Sequence, residues 1–352
     1  MNTKSMDGLR TTRTCAPAFL FSRHLVSEAV VGRFVRCAVI ACSLSFIAAA
    51  GHAQEKYPTK PIRILTPFAA GGGSDTCARL IATPATEDFG QPVVVENRPG
   101  AGGTVGAGIA ARSEPDGYTL IVVSGSYGAN GALYHLPYDS VTGITPIILI
   151  GTTPLVASVH PSVPIKSMKE LIAYAKANPG KFNFGSSGIG SLDNLAVELL
   201  KQQAGINLTL VPYKGSAPVM TALLSGEVDS SFSSLVPSMP HIKAGRLRPI
   251  AVTTPKRSSV LPDVPTVGET VPGFDVTHWY GLWGPKGLPR DIVMRWNSEV
   301  AKIIRTAAVQ KWMANEGLEP AGGPPEEFRD RIKSDVAKWK RVVKEAHIVV
   351  NQ

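Results

Sequence analysis

Residues 67–79 read PFAAGGGSDTCAR and join a short apolar run at 62–65 to a segment with helical spacing. Three consecutive glycines at this junction let another molecule approach the backbone closely. The first turn of a helix also has N–H groups without intrahelical partners, and its dipole favours negative charge. The stretch therefore predicts a strand-to-helix turn that cradles a phosphate, positions a nucleophile or holds the carboxylate of a small ligand.

Apolar strand-like runs alternate with amphipathic helical segments along the rest of the chain. Ser167 and Glu170 have the spacing of a capping box at the start of one helix. Alternation of this kind predicts an α/β protein with mostly parallel sheets. The strand candidates are residues 62–68, 92–97, 118–124, 207–213 and 248–254.

About 300 residues are many for one open sheet, and the longest apolar run, at 144–159, is interrupted at Gly151 and Pro154. This run predicts a strand that crosses between two lobes, with a return crossing within 248–283. We expect lobe 1 to comprise residues 54–155 and 273–352, and lobe 2 residues 156–272. Ligands of open α/β sheets lie beyond the carboxyl ends of the strands, so the lobes should enclose a cleft.

The first 53 residues resemble a secretory signal. Arg33 and Arg36 precede an apolar segment at 37–50, and small residues follow at Gly51 and Ala53, so we expect cleavage after Ala53 and export to the periplasm. The alternative, a membrane anchor, would need about 20 apolar residues. Six basic and two acidic residues lie in this leader, so the mature chain keeps 30 basic and 25 acidic residues, a net charge of +5. This mild charge argues against a nucleic-acid partner.

Motifs for catalysis and cofactors are incomplete. No glycine run ends in Gly-Lys-Ser/Thr, and neither Ser74 nor Ser187 has glycine at both flanking positions of a nucleophile elbow. The loose dinucleotide pattern at 106–111 lacks its acidic partner after the next strand. The five mature histidines have no metal-ligand spacing. The sequence therefore predicts a protein that is not an enzyme, with no cofactor and no metal.

Four glycine- and serine-rich turns, at 67–75, 124–134, 184–194 and 211–218, stand where strands end. Each alone is also typical of an ordinary strand–helix connection. Together, their helix N-termini could hold a carboxylate without an arginine.

The same turns carry a family resemblance. The segments VVVENRPGAGGTVGA, PDGYTL, VPYKGSAP, GEVD and LPDVPTVGE, in this order and spacing, resemble the Bug-type (TctC-like) receptors of tripartite tricarboxylate transporters. The resemblance implies a two-lobed type II periplasmic-binding-protein fold, or Venus flytrap. It also implies a monomer that binds a mono- or dicarboxylate or an aromatic acid and passes it to membrane permease subunits.

The resemblance also implies where the ligand binds. Asn194 and Ser233 stand where many relatives have histidine and an acid, so the ligand of a relative does not transfer directly. Asp75 has a second interpretation, in which it caps its helix and pairs with Arg79. The expected ligand-binding residues are Phe68, Ala70, Gly72, Gly73, Ser74 and Asp75 in lobe 1, Ser186, Ser187, Gly188, Gly190, Asn194 and Asp229 in lobe 2, and Tyr127 and Asn130 toward the distal end of the ligand.

Two other functions stay open at the level of sequence. One is a ligand sensor that presents its closed form to a membrane signalling protein, and the other, less favoured, is an exported hydrolase. Trp279 and Tyr280 are expected to pack at the hinge or in the cleft wall.

Overall fold

Ten strands and ten α-helices alternate along residues 57–345, the part of the chain that the computed structural model describes. The signal expected at 1–53 lies outside this range. The strands are β1 (Ile62–Thr66), β2 (Val93–Asn97), β3 (Thr119–Ser124), β4 (Ile144–Val159), β5 (Asn183–Ser186), β6 (Thr209–Pro212), β7 (Ser230–Ser234), β8 (Arg248–Val252), β9 (Thr277–Pro285) and β10 (Glu319–Gly322). The helices are α1 (Gly73–Phe89), α2 (Thr104–Ala111), α3 (Ser126–Leu133), α4 (Met168–Ala177), α5 (Leu192–Ala204), α6 (Ser216–Ser225), α7 (Leu235–Lys243), α8 (Arg290–Arg305), α9 (Ala307–Asn315) and α10 (Pro325–Glu345). All five strands expected from the sequence are present.

The long strand β4 connects two lobes, as its unusual apolar length predicted. Its residues 144–154 pair with β9, and its residues 155–159 pair with β7 and β8. The strand passes through Gly151 and Pro154 without ending, although its register with β9 shifts beside Gly151. A side chain at Gly151 would lie 2.6 Å from the Glu319 carbonyl oxygen of β10. The two lobe sheets are therefore continuous through one strand.

Each lobe has a mixed sheet. In lobe 1 the order β2-β1-β3 is parallel, and β9, β4 and β10 are antiparallel to their neighbours. In lobe 2, β6, β5 and β7 are parallel, whereas β4 pairs antiparallel with β7 and β8. The expectation of mainly parallel sheets was wrong in this respect. Helical crossovers produce the parallel strands. In contrast, β4 enters the lobe 2 sheet from lobe 1 and β9 enters the lobe 1 sheet from lobe 2, and each runs antiparallel to the parallel strands of the sheet that it enters.

A buried threonine ties the two crossings together. The Thr253 hydroxyl donates to the Val276 carbonyl oxygen at 2.6 Å and accepts from the Leu155 N–H at 3.0 Å. Its backbone N–H and carbonyl bond the same two residues, each at 2.9 Å. Thr253 is fully buried. Thr253 thus joins the segment that enters lobe 2 to the segment that returns to lobe 1. The lobe boundaries expected at 155 and 272 stay a prediction.

Apolar side chains at helical spacing in α8 and α10 face the cores. Ile292, Trp296, Val300 and Ile303 of α8 are buried. In α10 the stripe spans two cores, because Phe328, Ile332 and Val336 pack in a lobe 1 cluster whereas Trp339 packs in the main lobe 2 cluster. The last helix therefore contacts both lobes, although the sequence assigned it to lobe 1 alone.

The start of α4 shows how local sequence sets a helix end. The Ser167 hydroxyl caps the Glu170 N–H, and the Glu170 carboxylate accepts from the Lys166 N–H at 2.8 Å. The reciprocal bond of the capping box thus goes to the residue before the cap. Within residues 57–345, every helix is too short or too polar to span a lipid bilayer.

Candidate functional site

A small cavity of about 40 Å³ lies between the lobes, at the carboxyl ends of β3, β5 and β7. Eight of the fourteen described residues in its wall carry a hydroxyl group, and none of them is a lysine or arginine. The lining residues are Phe68, Gly73, Ser74, Ser124, Ser126, Leu155, Ser187, Asp193, Ser216, Phe232, Ser233, Ser234, His278 and Tyr280.

The turn before α1 forms the lobe 1 side of the cavity. Gly73 must lack a side chain, because a Cβ there would lie 1.9 Å from the Tyr280 hydroxyl oxygen. Asp75 holds the turn from behind: its carboxylate accepts from the Gly71 N–H at 2.9 Å, the Asn97 amide at 3.0 Å and the Arg79 guanidinium at 3.0 Å. Burial acts to raise the pKa of Asp75, but these hydrogen bonds together hold it below its ordinary value.

The lobe 2 side presents two further helix starts. Ser216 is the first residue of α6, and a Cβ on Gly72, the cap of α1, would lie 2.7 Å from the Ser216 hydroxyl oxygen. The N-termini of α1 and α6 therefore approach each other across the cleft. Ser187 and Asp193 come from the turn and first turn of α5. The starts of α1, α5 and α6, whose first N–H groups have no intrahelical partners, thus surround one small space.

Side chains of the two lobes touch directly around this space. The Tyr280 hydroxyl of β9 donates to the Ser234 hydroxyl at the end of β7 over 2.9 Å. The Ser126 hydroxyl, at the start of α3, accepts from the Leu192 N–H of α5 at 3.0 Å. Burial raises the pKa of Tyr280, which keeps its proton available for this bond. The structure therefore has the lobes closed on each other.

An outer groove of about 390 Å³ adjoins the cavity and shares Phe68 and Ser187 with it. Its walls include the glycine turn at 100–103, Gly188 and Tyr213. The Tyr134 hydroxyl donates to the Ile189 carbonyl oxygen at 2.5 Å and so joins the lobes here too. Because the inner cavity has room for only a few water molecules, a ligand of several carbons must extend into this groove or part the lobes.

Two titratable side chains in the cavity wall were not predicted as site residues. His278 is 7% exposed and its Nδ1 has no hydrogen-bond partner within residues 57–345. Burial, together with the nearby Arg331, lowers the pKa of His278 to about 3, so the ring is neutral at physiological pH. Asp193 is 6% exposed, and its Oδ2 accepts from the Ser187 N–H at 2.5 Å. Burial raises the pKa of Asp193, against hydrogen bonds from Ser191 and Ser187.

The residues expected from the sequence fall into three groups. Phe68, Gly73, Ser74 and Ser187 line the cavity, and Gly188 lines the outer groove. The second group supports the turns: Ala70 and Gly72 belong to the α1 turn, Asp75 braces it, Ser186 lies fully buried in β5, Gly190 packs against Tyr134, and Asn194 accepts from the Gly190 N–H at 3.3 Å. For Asp75, the interpretation as a partner of Arg79 is the one that the contacts support.

The third group lies away from the cavity. Tyr127 is buried in the lobe 1 core and donates to the Ser140 carbonyl oxygen at 2.9 Å. Asn130 is 2% exposed and does not line the cavity. Asp229 accepts from the Asn183 N–H at 2.7 Å, at the amino end of β5. The cavity is at the carboxyl end of that strand, so Asp229 braces the far end of the sheet.

Sequence reasoning missed most of the polar wall. Ser216 and Asp193 stood inside turns that were singled out, but neither was chosen. The run SSFSS of β7 ends in Ser233 and Ser234, and the alternation of serine with Phe232 was the available signal. His278 and Tyr280 lie in VTHWYGLWGP, which was interpreted as packing. No pattern in the neighbouring sequence shows that β9 passes beside the α1 turn.

Comparisons with known proteins agree with this geometry. A family model described as "Tripartite tricarboxylate transporter family receptor", TctC, matches residues 77–348. Protein BugT of Bordetella pertussis is 34% identical over 321 residues, which cover 90% of this chain and 96% of BugT.

Solved structures are similar over nearly their whole length. R. palustris Rpa4515 with adipate is 37% identical with a TM-score of 0.80, covering 83% of this chain and 99% of that one. The periplasmic binding protein BugD is 34% identical, also with a TM-score of 0.80, covering 83% and 99%. MatC from Rhodopseudomonas palustris with bound malate is 31% identical with a TM-score of 0.78, covering 82% and 100%. The expected two-lobed periplasmic-binding-protein fold is confirmed.

Proposed function

Because the chain belongs to the receptor family of tripartite tricarboxylate transporters, we propose that it captures a small organic carboxylate between its lobes and delivers it to membrane permease subunits. Members of this family are periplasmic solute-binding proteins. We further propose that this chain is exported by the signal at 1–53, works in the periplasm and catalyses no reaction. The adipate and malate bound to two similar proteins support a carboxylate as the class of ligand.

The observation that carries the proposal is the convergence of helix N-termini on a cavity wall to which no lysine or arginine of residues 57–345 contributes. A helix start favours a nearby anion by about 0.3–1 kcal/mol, and by up to about 2 kcal/mol where it is partly buried. The α1 and α6 starts face each other through Gly72 and Ser216, and serine hydroxyls surround them. Main-chain and hydroxyl donors can therefore hold a carboxylate where no fixed cation is available.

Closure follows from the same arrangement. A ligand shifts an open–closed equilibrium only by the difference in its affinity for the two states. Gly73 and Ser74 belong to lobe 1, whereas Ser187 and Ser216 belong to lobe 2, and all four line one cavity. A carboxylate that contacts both sets binds the closed state better, which gives a permease a distinct surface to recognise.

Thermal denaturation with a panel of acids and their neutral amides tests the proposal. We expect adipate, malate or shorter acids to raise Tm in a concentration-dependent way, because a ligand that binds only the folded state stabilises it. The matching amides should leave Tm unchanged. Ser74→Ala should weaken the response, whereas Ser113→Ala, outside the cavity, should not. Equal stabilisation by acids and amides would contradict the carboxylate site.

A further inference from the structure

Among the described residues that line the cavity, Asp193 alone carries an ionisable carboxyl group. It is the second residue of α5 and is 6% exposed. One carboxylate oxygen, Oδ2, accepts the Ser187 N–H at 2.5 Å. A carboxylate in the wall of an anion site repels the negative charge of the ligand. A hydrogen-bond donor or a positive charge on the ligand offsets this repulsion.

The groups around Asp193 do not neutralise it. Strand β9 contributes His278 and Tyr280, of which the first is a neutral ring at physiological pH and the second a protonated phenol. The facing elements β7, α1, α3 and α6 contribute serine hydroxyls and apolar groups, and no lysine or arginine within 57–345 lines the cavity. Hydrogen bonds from Ser187 and Ser191 stabilise the charge in part, but a buried carboxylate without a cation is unfavourable by several kcal/mol, so a donor group on the ligand would stabilise it further.

A ring nitrogen without a hydrogen-bond partner among the described residues belongs to the same wall. His278 is more than nine-tenths buried, and its Nδ1 has no partner among the described residues. A buried polar atom is normally hydrogen-bonded. A Cβ on Gly125 would lie 3.2 Å from His278 Nδ1, so the glycine keeps the space beside this nitrogen open. The cavity wall thus contains a hydrogen-bond acceptor at Asp193 and, in His278, a buried ring nitrogen that is unpaired among the described residues. The acceptor suits a donor group of a ligand rather than a second carboxylate.

Resting on the proposed capture of a carboxylate, we propose that Asp193 selects ligands in which a hydroxyl or ammonium group donates a hydrogen bond to it, as in hydroxy acids and amino acids. A ligand that places a second carboxylate there instead brings two like charges together in a water-poor site, which disfavours binding. Asp193 is thereby a specificity residue, and the helix starts hold the carboxylate of the ligand.

Titration calorimetry with matched ligands tests this selection. The probes are unbranched acids of three to six carbons that end in a methyl, hydroxyl, ammonium or carboxylate group. Wild type should bind a hydroxyl- or ammonium-ended acid at least tenfold more tightly than the methyl- or carboxylate-ended acid of the same length, because hydrogen bonds to charged groups are the stronger ones.

Asp193→Asn is the diagnostic variant, since the amide oxygen can still accept the Ser187 N–H. We expect it to lose roughly tenfold or more in affinity for the donor-ended acids, to bind the methyl-ended acid within about twofold of wild type, and to gain affinity for the dicarboxylate. Thermal denaturation of the ligand-free variant checks that it is folded. Asp330→Asn is the matched control, because this carboxylate is exposed and does not line the cavity, so the ranking should stay as in wild type.

Two results would overturn the selection. One is a wild type that prefers dicarboxylates, and the other is a ranking that Asp193→Asn leaves unchanged. A folded wild type that binds none of the acids is a different result, since it contradicts the proposed function itself. Calorimetry in two buffers of different ionisation enthalpy adds an independent measurement: an ammonium-ended acid should change proton release in wild type but not in Asp193→Asn.

Discussion

Asp75 and Asp193 are both buried acids at the start of a helix, but they have opposite pKa shifts and different roles. The Asp75 carboxylate accepts hydrogen bonds from Arg79, one helical turn away, and from Gly71 and Asn97, so its charge is neutralised locally. No lysine or arginine of the described residues shares the cavity wall with Asp193, and burial raises the pKa of Asp193. The pairing of Asp75 was predictable because residues four apart on a helix are neighbours. The environment of Asp193 was not, since it depends on β7 and β9.

His278 allows a test at the scale of one residue through the pH dependence of folding. The unfolded chain binds a proton on this histidine below about pH 6.5, whereas the folded protein excludes it down to about pH 3. His278 therefore makes the free energy of unfolding fall as pH falls through that window, by about 1.4 kcal/mol per pH unit. In His278→Asn this part of the slope should disappear.

Urea unfolding of both proteins between pH 3 and pH 8 measures this difference. Stability at pH 8 reports any packing defect of the variant separately, because the histidine is neutral there in both states. A constant offset between the two curves at all pH values would show that His278 is not excluded from protonation in the fold.

At the scale of elements, neighbouring residues in the sequence determine helix ends and strands. The pairing of strands between sheets depends instead on residues far apart in the chain. The Ser167 cap, the glycine at the end of α1 and the buried stripe of α8 are each visible in a few consecutive residues. The crossing strand β4 was visible as an apolar run longer than one sheet needs. Its partners were not, because pairing with β9 and β7 joins residues more than 70 positions apart.

Thr253→Val tests the joint between the two crossings. Valine keeps the shape of threonine but leaves the Leu155 N–H and the Val276 carbonyl without their side-chain partner. Each unsatisfied buried group costs about 1–3 kcal/mol, so the free energy of unfolding should fall by about 2–4 kcal/mol in urea titrations.

Thr254→Val is the matched control at the neighbouring position, which is only half-buried and whose hydroxyl donates within its own turn to Lys256. We expect it to change stability by less than about 1 kcal/mol. If both substitutions had the same small effect, Thr253 would not join the crossings.

At the scale of the whole molecule, the site exists only where the lobes meet. Tyr280 and Ser126 belong to lobe 1, and their partners Ser234 and Leu192 belong to lobe 2. The C-terminal helix α10 packs on the cores of both lobes, and β4 runs through both. The chain crossings therefore connect the lobes covalently, and hydrogen bonds in the cavity wall connect them across the cleft. This is the arrangement of a hinge about which two lobes close on a ligand.

Tyr280→Phe should shift this equilibrium toward the open form. It removes the hydrogen bond to Ser234, a net loss of about 1 kcal/mol, or roughly fivefold in the ratio of closed to open molecules. Small-angle X-ray scattering of the ligand-free protein should then show a larger radius of gyration, and ligand should produce a larger contraction than in wild type.

Ser234→Ala removes the same bond from the other lobe, so the double variant should be no more open than either single one. Additive effects of the two substitutions would mean that the tyrosine and the serine act on closure separately.

The sequence by itself indicated six of the ten strands described, the start of α4, the crossing at β4 and the glycine turns of the site, because these depend on periodicity, caps and backbone freedom among neighbours in the chain. It identified Phe68, Gly73, Ser74 and Ser187, which now line the cavity. Only the tertiary structure decided that Asp193, His278 and Tyr280 belong to the same wall and that Asp229 does not. Burial and charge neutralisation depend on every element packed around a group, and in this protein those elements come from both lobes.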